Sequence, residues 1–104
     1  MMTLEQFKAA RAVLQGVILD TGLTYSPALS KACGNQVFLK PENMQVTGAY
    51  KIRGAYYKIS TLTEEEKSRG LITASAGNHA QGVAYAAQVM GVPATIVMPT
   101  TTPL

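Results

Sequence analysis

The chain has 104 residues, of which 47% are hydrophobic and 14% are charged, with a formal net charge of +3 at pH 7. This length suits one domain of ordinary size, and the composition is typical of a folded protein rather than a disordered tail. The basic residues are scattered and form no stripe, which argues against nucleic-acid binding. No apolar run is long enough for a membrane span, and the N-terminus lacks a signal-peptide core. We therefore expect a cytoplasmic protein.

The first predicted element is a helix from Leu4 to about Gln15. Thr3 and Gln6 fit a capping box at its start, and Gly16 can end it. Its periodicity predicts a core-facing side made of Leu4, Phe7, Ala10, part of Arg11, and Leu14.

A second helix and a strand are predicted next. Ser26 and Pro27 are typical of an N-cap followed by the first helical residue, and Gly34 ends this short helix. Residues 36–40 alternate weakly and predict a strand, and the polar stretch 41–48 predicts a loop.

Two short helices follow the loop. Residues 51–60 predict a helix with one apolar face, made of Ile52, Ala55, Tyr56 and Ile59. Thr63 and Glu66 fit a capping box that opens a further helix ending at Gly70.

The last third predicts a strand, a helix and a second strand. Residues 71–74 and 94–98 are short apolar runs. Residues 79–90 between them have apolar side chains at helical spacing (80, 83, 84, 87 and 90), and Gly91 ends the helix. Such a unit makes two parallel strands, and a parallel sheet with helices normally has more. The sequence thus predicts part of an α/β fold.

Two features that could carry chemistry are interpreted as structural. Cys33 is the only cysteine, so no internal disulfide can form, which is typical of a reducing compartment. Its place near a predicted helix end favours a buried small side chain over a nucleophile. The acidic residues Glu64, Glu65 and Glu66 are interpreted as a solvated first helical turn, so no metal site is expected.

Lys51 stands at the start of a predicted helix and is the first candidate for chemistry. Its amine must lose a proton before it can attack an aldehyde. The positive end of the helix dipole and the like charge of Arg53 both disfavour the ammonium form. Tyr50 offers a flat face for an aromatic cofactor, and Gly48 and Gly54 allow close backbone approach. The alternative is an ordinary solvated lysine.

The connection 75–79 is the second candidate. It joins a strand end to a helix N-terminus, where unpaired N–H groups bind anions. Ser75 and Asn78 add side-chain donors, and Gly77 keeps the backbone open. The alternative is a capped helix with Asn78 as N-cap, no ligand, and a structural role for His79.

Together these motifs resemble a known family. Residues 40–55 resemble the lysine segment of the serine/threonine dehydratases, which use pyridoxal phosphate (PLP), and residues 75–84 resemble the loop that binds their substrate carboxylate. Residues 96–103 are also similar, and the likeness is closest to the catabolic threonine dehydratases, or threonine ammonia-lyases. The resemblance implies the N-terminal portion of an α/β, fold-type II PLP enzyme, like the tryptophan synthase β subunit.

The resemblance also implies roles for individual residues. Lys51 would hold PLP as a Schiff base and later move the α-carbon proton of the substrate. Tyr50, where phenylalanine is usual, would flank the cofactor ring, and Asn78 would hydrogen-bond the ring hydroxyl. The substrate carboxylate would be held by Ser75, Ala76, Gly77, Asn78 and His79. Ala49 replaces a frequent serine, a mild departure.

Enzymes of this family convert L-threonine to 2-oxobutanoate, and L-serine to pyruvate, with release of ammonia. Three alternatives remain open: a serine racemase of the same fold, a β-replacing synthase of that fold, or a non-catalytic association fragment. The resemblance further implies that residues 1–50 belong to a larger domain and that residues 51–104 begin a smaller one.

The family's glycine-rich phosphate loop and the partner of the ring nitrogen are expected beyond residue 104, so we predict little or no activity for the isolated chain. Uncovered apolar surface and an open strand edge predict a homo-oligomer. Likeness to catabolic relatives leaves a nucleotide effector open.

Overall fold

The computed structural model describes residues 1–103. In chain order the elements are α1 (Leu4–Leu14), β1 (Thr24–Tyr25), α2 (Pro27–Cys33), β2 (Phe38–Leu39), a 3-10 turn (Glu42–Met44), α3 (Lys51–Ser60), α4 (Glu64–Ser68), β3 (Leu71–Ala74), α5 (Asn78–Met90) and β4 (Ala94–Val97). β1 pairs antiparallel with β2, and β3 pairs parallel with β4 in a separate sheet. The parallel β3–α5–β4 unit confirms the predicted α/β class.

Helix boundaries follow the predicted capping signals. The Thr3 hydroxyl accepts a hydrogen bond from the Gln6 amide, and the Gln6 side chain accepts one from the Thr3 amide, which completes a capping box. Thr63 and Glu66 repeat this arrangement at the start of α4. Gly91 ends α5 with a φ of 66°, a left-handed conformation that glycine adopts without steric cost.

The core lies where α3 crosses α5. Ile52 has a relative exposure of 0%. The buried cluster between the two helices consists of Ala55, Ile59, Val83 and Ala86. Leu71 of β3 and Ile96 of β4 pack against this cluster. Since α3 begins at Lys51 and α5 begins at Asn78, this packing positions the two helix starts that the sequence singled out.

The predicted burial of four side chains is wrong. Leu4 and Phe7 are 67% and 57% exposed, and Leu14 is the only buried residue of α1. Within residues 1–103, α1 packs mainly on α3, so one end of its apolar face stays uncovered. Cys33 is exposed, and the buried residue of α2 is Ser30, whose hydroxyl accepts a hydrogen bond from the Val37 amide. In α5, Ala84 is also exposed, whereas residues 82 and 86 are buried.

Strand boundaries also differ from prediction. The first strand of the 36–40 region covers only Phe38–Leu39, and the last strand stops at Val97 instead of Met98. Among the described residues, no helix has the length and apolar character needed to cross a membrane.

Candidate active site

Lys51 is exposed at the first position of α3. The preceding residue, Tyr50, takes the N-cap position but makes no side-chain capping bond, and its ring is 59% exposed. The Lys51 Nζ atom lies 5.5 Å from the centre of the Tyr50 ring. This distance is within the range in which a cation is attracted to an aromatic face. The amine and the aromatic ring are thus neighbours on the surface.

An open groove of about 560 Å³ runs beside this lysine. Tyr50, Lys51 and His79 line it, together with an apolar floor that includes Ile59 and Val83. The structure therefore brings the lysine segment and the first turn of α5 to one groove. The predicted residues Ser75, Ala76, Gly77 and Asn78 do not line it; they lie at the adjoining start of α5.

Ser75 organises that helix start. Its amide donates to the Val97 carbonyl at 3.0 Å, which ties the loop to the end of β4. Its hydroxyl oxygen accepts from the amides of Gly77 and Ala80, both at 3.3 Å. The alternative in which Asn78 is the N-cap is wrong, because Asn78 is already helical and Ser75 supplies the capping oxygen.

The amides of Asn78 and His79 are left free by this arrangement. Neither has an acceptor within the described part of the chain, as is usual for the first turn of a helix. Both residues are exposed at the start of α5. A carboxylate or another anion is the group that such a position favours.

Gly82 is a functional candidate that the sequence reasoning missed. It is buried, and a Cβ atom built on it would lie 3.3 Å from the carbonyl carbon and oxygen of Lys51 and 3.3 Å from the Ala55 Cβ. α5 therefore contacts the backbone of the lysine itself. The available signal was a glycine inside an apolar helix, which is costly unless close packing requires it.

Arg53 forms a two-point ion pair with Glu42 in the loop before α3. The Arg53 Nε and Nη2 atoms donate to the two Glu42 carboxylate oxygens at 2.8 and 2.7 Å. This hydrogen-bonded guanidinium lowers the pKa of Glu42, and the Glu42 carboxylate raises the pKa of Arg53. The expected like charge beside Lys51 is therefore partly balanced, because Arg53 is paired with Glu42.

Gln45 fixes the same loop from the other side. It is only 5% exposed, and its amide makes two hydrogen bonds with the backbone of Leu19, from Leu19 N at 3.1 Å and to Leu19 O at 2.8 Å. The Gln45 carbonyl also accepts from the Gly48 amide at 2.7 Å. No local sequence signal predicts this contact, because the two partners are 26 residues apart along the chain.

Replacing Glu42 with glutamine is expected to lower the free energy of unfolding by about 1 kcal/mol at neutral pH, because the pair is charge-assisted and partly buried. The folded pKa of Glu42 lies below its unfolded value. The contribution is therefore fully present above about pH 4.5 and is lost as the pH falls through the folded pKa. Urea unfolding from pH 3 to 7, followed by circular dichroism, measures this.

Glu5→Gln is the matched control, because it removes the exposed Lys8–Glu5 pair and should leave stability nearly unchanged. A difference between wild type and Glu42→Gln that stays constant with pH would contradict the assignment.

Comparison with known proteins decides the family. The family described as "Pyridoxal-phosphate dependent enzyme" matches residues 14–104. The chain belongs to this family.

Relatives with known names agree with this assignment. The chain is 58% identical, over its whole length, to the L-threonine ammonia-lyase of Thermotoga maritima, of which it covers 26%. It is 52% identical to the catabolic L-threonine dehydratase of Staphylococcus aureus, with 98% of this chain and 30% of that protein aligned. The crystal structure of a serine racemase from Dictyostelium discoideum aligns with a TM-score of 0.91 and 36% identity, covering 98% of this chain and 34% of that one.

These likenesses confirm the predicted fold-type II class, and the family uses pyridoxal phosphate. The chain spans about a quarter to a third of the length of the relatives it matches.

The residues around the groove fit one side of this cofactor. A primary amine such as Lys51 Nζ suits the aldehyde, and a half-exposed ring such as Tyr50 suits the pyridine face. An amide side chain such as Asn78 suits the ring hydroxyl. Within residues 1–103 we find no glycine-rich loop of the kind that cradles a phosphate.

Proposed function

We propose that this chain supplies the lysine-bearing and carboxylate-binding part of an ammonia-lyase that acts on L-threonine and L-serine. The observation that carries the proposal is that Lys51 of α3 and His79 of α5 line the same groove. The names of the relatives from Thermotoga maritima and Staphylococcus aureus support threonine as the substrate. The expected products are 2-oxobutanoate from threonine and pyruvate from serine, each with ammonia.

Lys51 is the proposed catalytic residue. Its Nζ atom would hold the cofactor through the aldehyde and would carry the proton removed from the substrate α-carbon. When bound, pyridoxal phosphate supplies an electron sink for that carbon. Tyr50 would keep the ring in place from the side of the lysine, and Asn78 would hydrogen-bond its hydroxyl. The contact between Lys51 and Tyr50 supports this placement.

The start of α5 is the proposed carboxylate site. The free amides of Asn78 and His79 would donate to the substrate carboxylate, and the positive end of the helix dipole would favour its charge. Ala76 and Gly77 leave the backbone open, because neither has a long side chain. Ser75 would donate its hydroxyl proton to the carboxylate, since its oxygen already accepts from the amides of Gly77 and Ala80.

We also propose that residues 1–50 belong to a larger domain and residues 51–104 to a smaller one, and that the protein is a cytoplasmic homo-oligomer. Exposed apolar side chains on the face of the β3–β4 sheet, Ile72 at 76% and Val97 at 52%, support association. A nucleotide effector stays a prediction from the resemblance to catabolic dehydratases.

The proposal predicts activity in a chimaera. Residues 1–104 would replace the matching 26% of the Thermotoga maritima enzyme, and 2-oxobutanoate would be assayed from threonine. We expect turnover from the chimaera and little or none from the isolated chain. Lys51→Ala should lower turnover by about 10²–10⁴-fold, the usual contribution of a positioned proton-transfer group. Lys58→Ala, a change to another lysine of α3, is the control and should retain activity.

A serine racemase is the second candidate, and the TM-score of 0.91 with the Dictyostelium discoideum racemase favours it. Chiral analysis of serine in the same assay separates the two. D-serine in excess of pyruvate would favour the racemase. A folded chimaera that holds the cofactor but makes no 2-oxobutanoate, pyruvate or D-serine would reject both candidate functions.

A further inference from the structure

Gly82 is the point at which α5 contacts the backbone of the residue that carries the reactive amine. It is buried on the side of α5 that faces α3. A Cβ atom at this position would lie 3.3 Å from the Lys51 carbonyl carbon, 3.3 Å from the Lys51 oxygen and 3.3 Å from the Ala55 Cβ. All three atoms belong to the first turns of α3.

The identity of these atoms makes the contact restrictive. A flexible side chain could rotate away from an added methyl group, but the Lys51 carbonyl is part of the helix backbone and can yield only if α3 moves. An added Cβ would therefore displace the start of α3 by a few tenths of an ångström. The other helical glycine, Gly54, differs, because an added Cβ there meets nothing within 4 Å.

The rest of the interface leaves little freedom for that displacement to be absorbed. Ile52 and Ala86 have a relative exposure of 0%, and Ala55 is 6% exposed. Interiors packed at this density transmit a small change in volume instead of absorbing it. The displacement would appear at the exposed end of α3, where Lys51 and Tyr50 lie.

We propose that Gly82 is a positioning residue, whose missing side chain sets the distance between the two helices and holds the Lys51 amine in the groove that His79 also lines. The inference rests on the proposed role of Lys51. Reactive groups need placement within fractions of an ångström, and a misplacement of about 1 Å can reduce a rate about 10²-fold.

The test measures where pyridoxal phosphate attaches to the purified chain. Sodium borohydride converts the bond between a lysine amine and the cofactor aldehyde into a stable secondary amine, and peptide mapping then gives the labelled fraction at each lysine. Lys58 is the internal reference, because it is exposed on the same helix and lines the same groove. The readout is the ratio of labelled Lys51 to labelled Lys58, which does not depend on turnover.

Three variants separate positioning from core packing. Gly82→Ala adds the restrictive methyl group. Ala84→Ser adds one atom to the exposed side of the same helix and is the control. The double variant Gly82→Ala/Ala55→Gly removes the Ala55 contact but keeps both contacts with the Lys51 carbonyl. Circular dichroism reports whether each variant folds.

We expect Lys51 to be labelled preferentially in wild type and in Ala84→Ser. Gly82→Ala should lower the ratio of Lys51 to Lys58 labelling about tenfold, which is less than the loss for a full ångström. The double variant should keep the lowered ratio even where its helical signal recovers, because the carbonyl contacts remain.

A wild-type ratio in Gly82→Ala, or its full recovery in the double variant, would reduce Gly82 to a packing residue and overturn the inference while the proposed function stands. Loss of folding in both variants would assign Gly82 to the general core and overturn it as well. Absence of any preference for Lys51 in wild type would reject the proposed role of Lys51 and the inference together.

Discussion

Replacing Lys51 with alanine is expected to remove the visible absorbance band that the purified chain forms with pyridoxal phosphate. An amine joined to the cofactor aldehyde absorbs differently from the free aldehyde, so the band reports the attachment. Lys51 and Lys58 both line the groove, but only Lys51 stands at a helix start with an aromatic ring 5.5 Å from its amine. The measurement is a titration with cofactor at constant pH, with the band height compared between variants.

Lys58→Ala is the matched control and should retain most of the band, because Lys58 lies near the end of α3 and not at a helix start. If Lys51→Ala keeps the band, the attachment is not at Lys51. If wild type forms no band, the isolated chain does not hold the cofactor. This outcome would also reject the proposed role of Lys51 in the isolated chain.

Ile52→Ala is expected to reduce the free energy of unfolding by about 2–5 kcal/mol, the usual range for an isoleucine in a packed core. Ile52 has no exposed surface, so the substitution removes fully buried apolar atoms and leaves a cavity. The total free energy of unfolding of a native domain is about 5–15 kcal/mol, so this substitution removes a large fraction of the stability. Urea unfolding followed by circular dichroism measures it.

Leu4→Ala is the companion variant, because Leu4 is 67% exposed on α1. We expect a change within about 0.5 kcal/mol, as for most surface substitutions. A loss at Leu4 as large as that at Ile52 would contradict this expectation. It would mean that a second copy or another segment covers the apolar face of α1.

Local signals in the sequence predicted most element boundaries. The capping box of Thr3 and Gln6 and the left-handed Gly91 act over three or four residues, so their physics is contained in a short window. The same holds for α3, where spacing alone identified Ile52, Ala55 and Ile59 as the buried face. The type and extent of these helices could therefore be predicted without knowing which other elements they pack against.

Predictions that depend on which elements meet in space were less successful. Leu4 and Phe7 have the spacing of a buried face, but too little of the described chain covers them. Arg53 was assigned to Lys51 by proximity in sequence, whereas its partner is Glu42, across the preceding loop. The contact of Gly82 with Lys51 likewise requires the crossing point of two helices, which no short window contains.

The candidate site shows the same division. The lysine run and the loop 75–79 were found from residue types, and the structure joins them through Lys51 and His79. The assignment of capping failed at Asn78, because the Ser75 hydroxyl, outside the helix, accepts from the amides of Gly77 and Ala80. A side chain that acts on amides two to five residues ahead leaves no periodic signal.

The buried amide of Gln45 has a consequence for the order of assembly. It accepts a hydrogen bond from the Leu19 amide and donates one to the Leu19 carbonyl, as a paired strand would. The two residues are 26 positions apart in the sequence. Closing a loop of that size costs chain entropy, which must be overcome before the two hydrogen bonds can stabilise the contact. We therefore expect the loop before Lys51 to be fully ordered only when Leu19 is docked against Gln45. We therefore expect substitutions near residue 19 to change how completely the loop before Lys51 is ordered, and not which ligand the site binds.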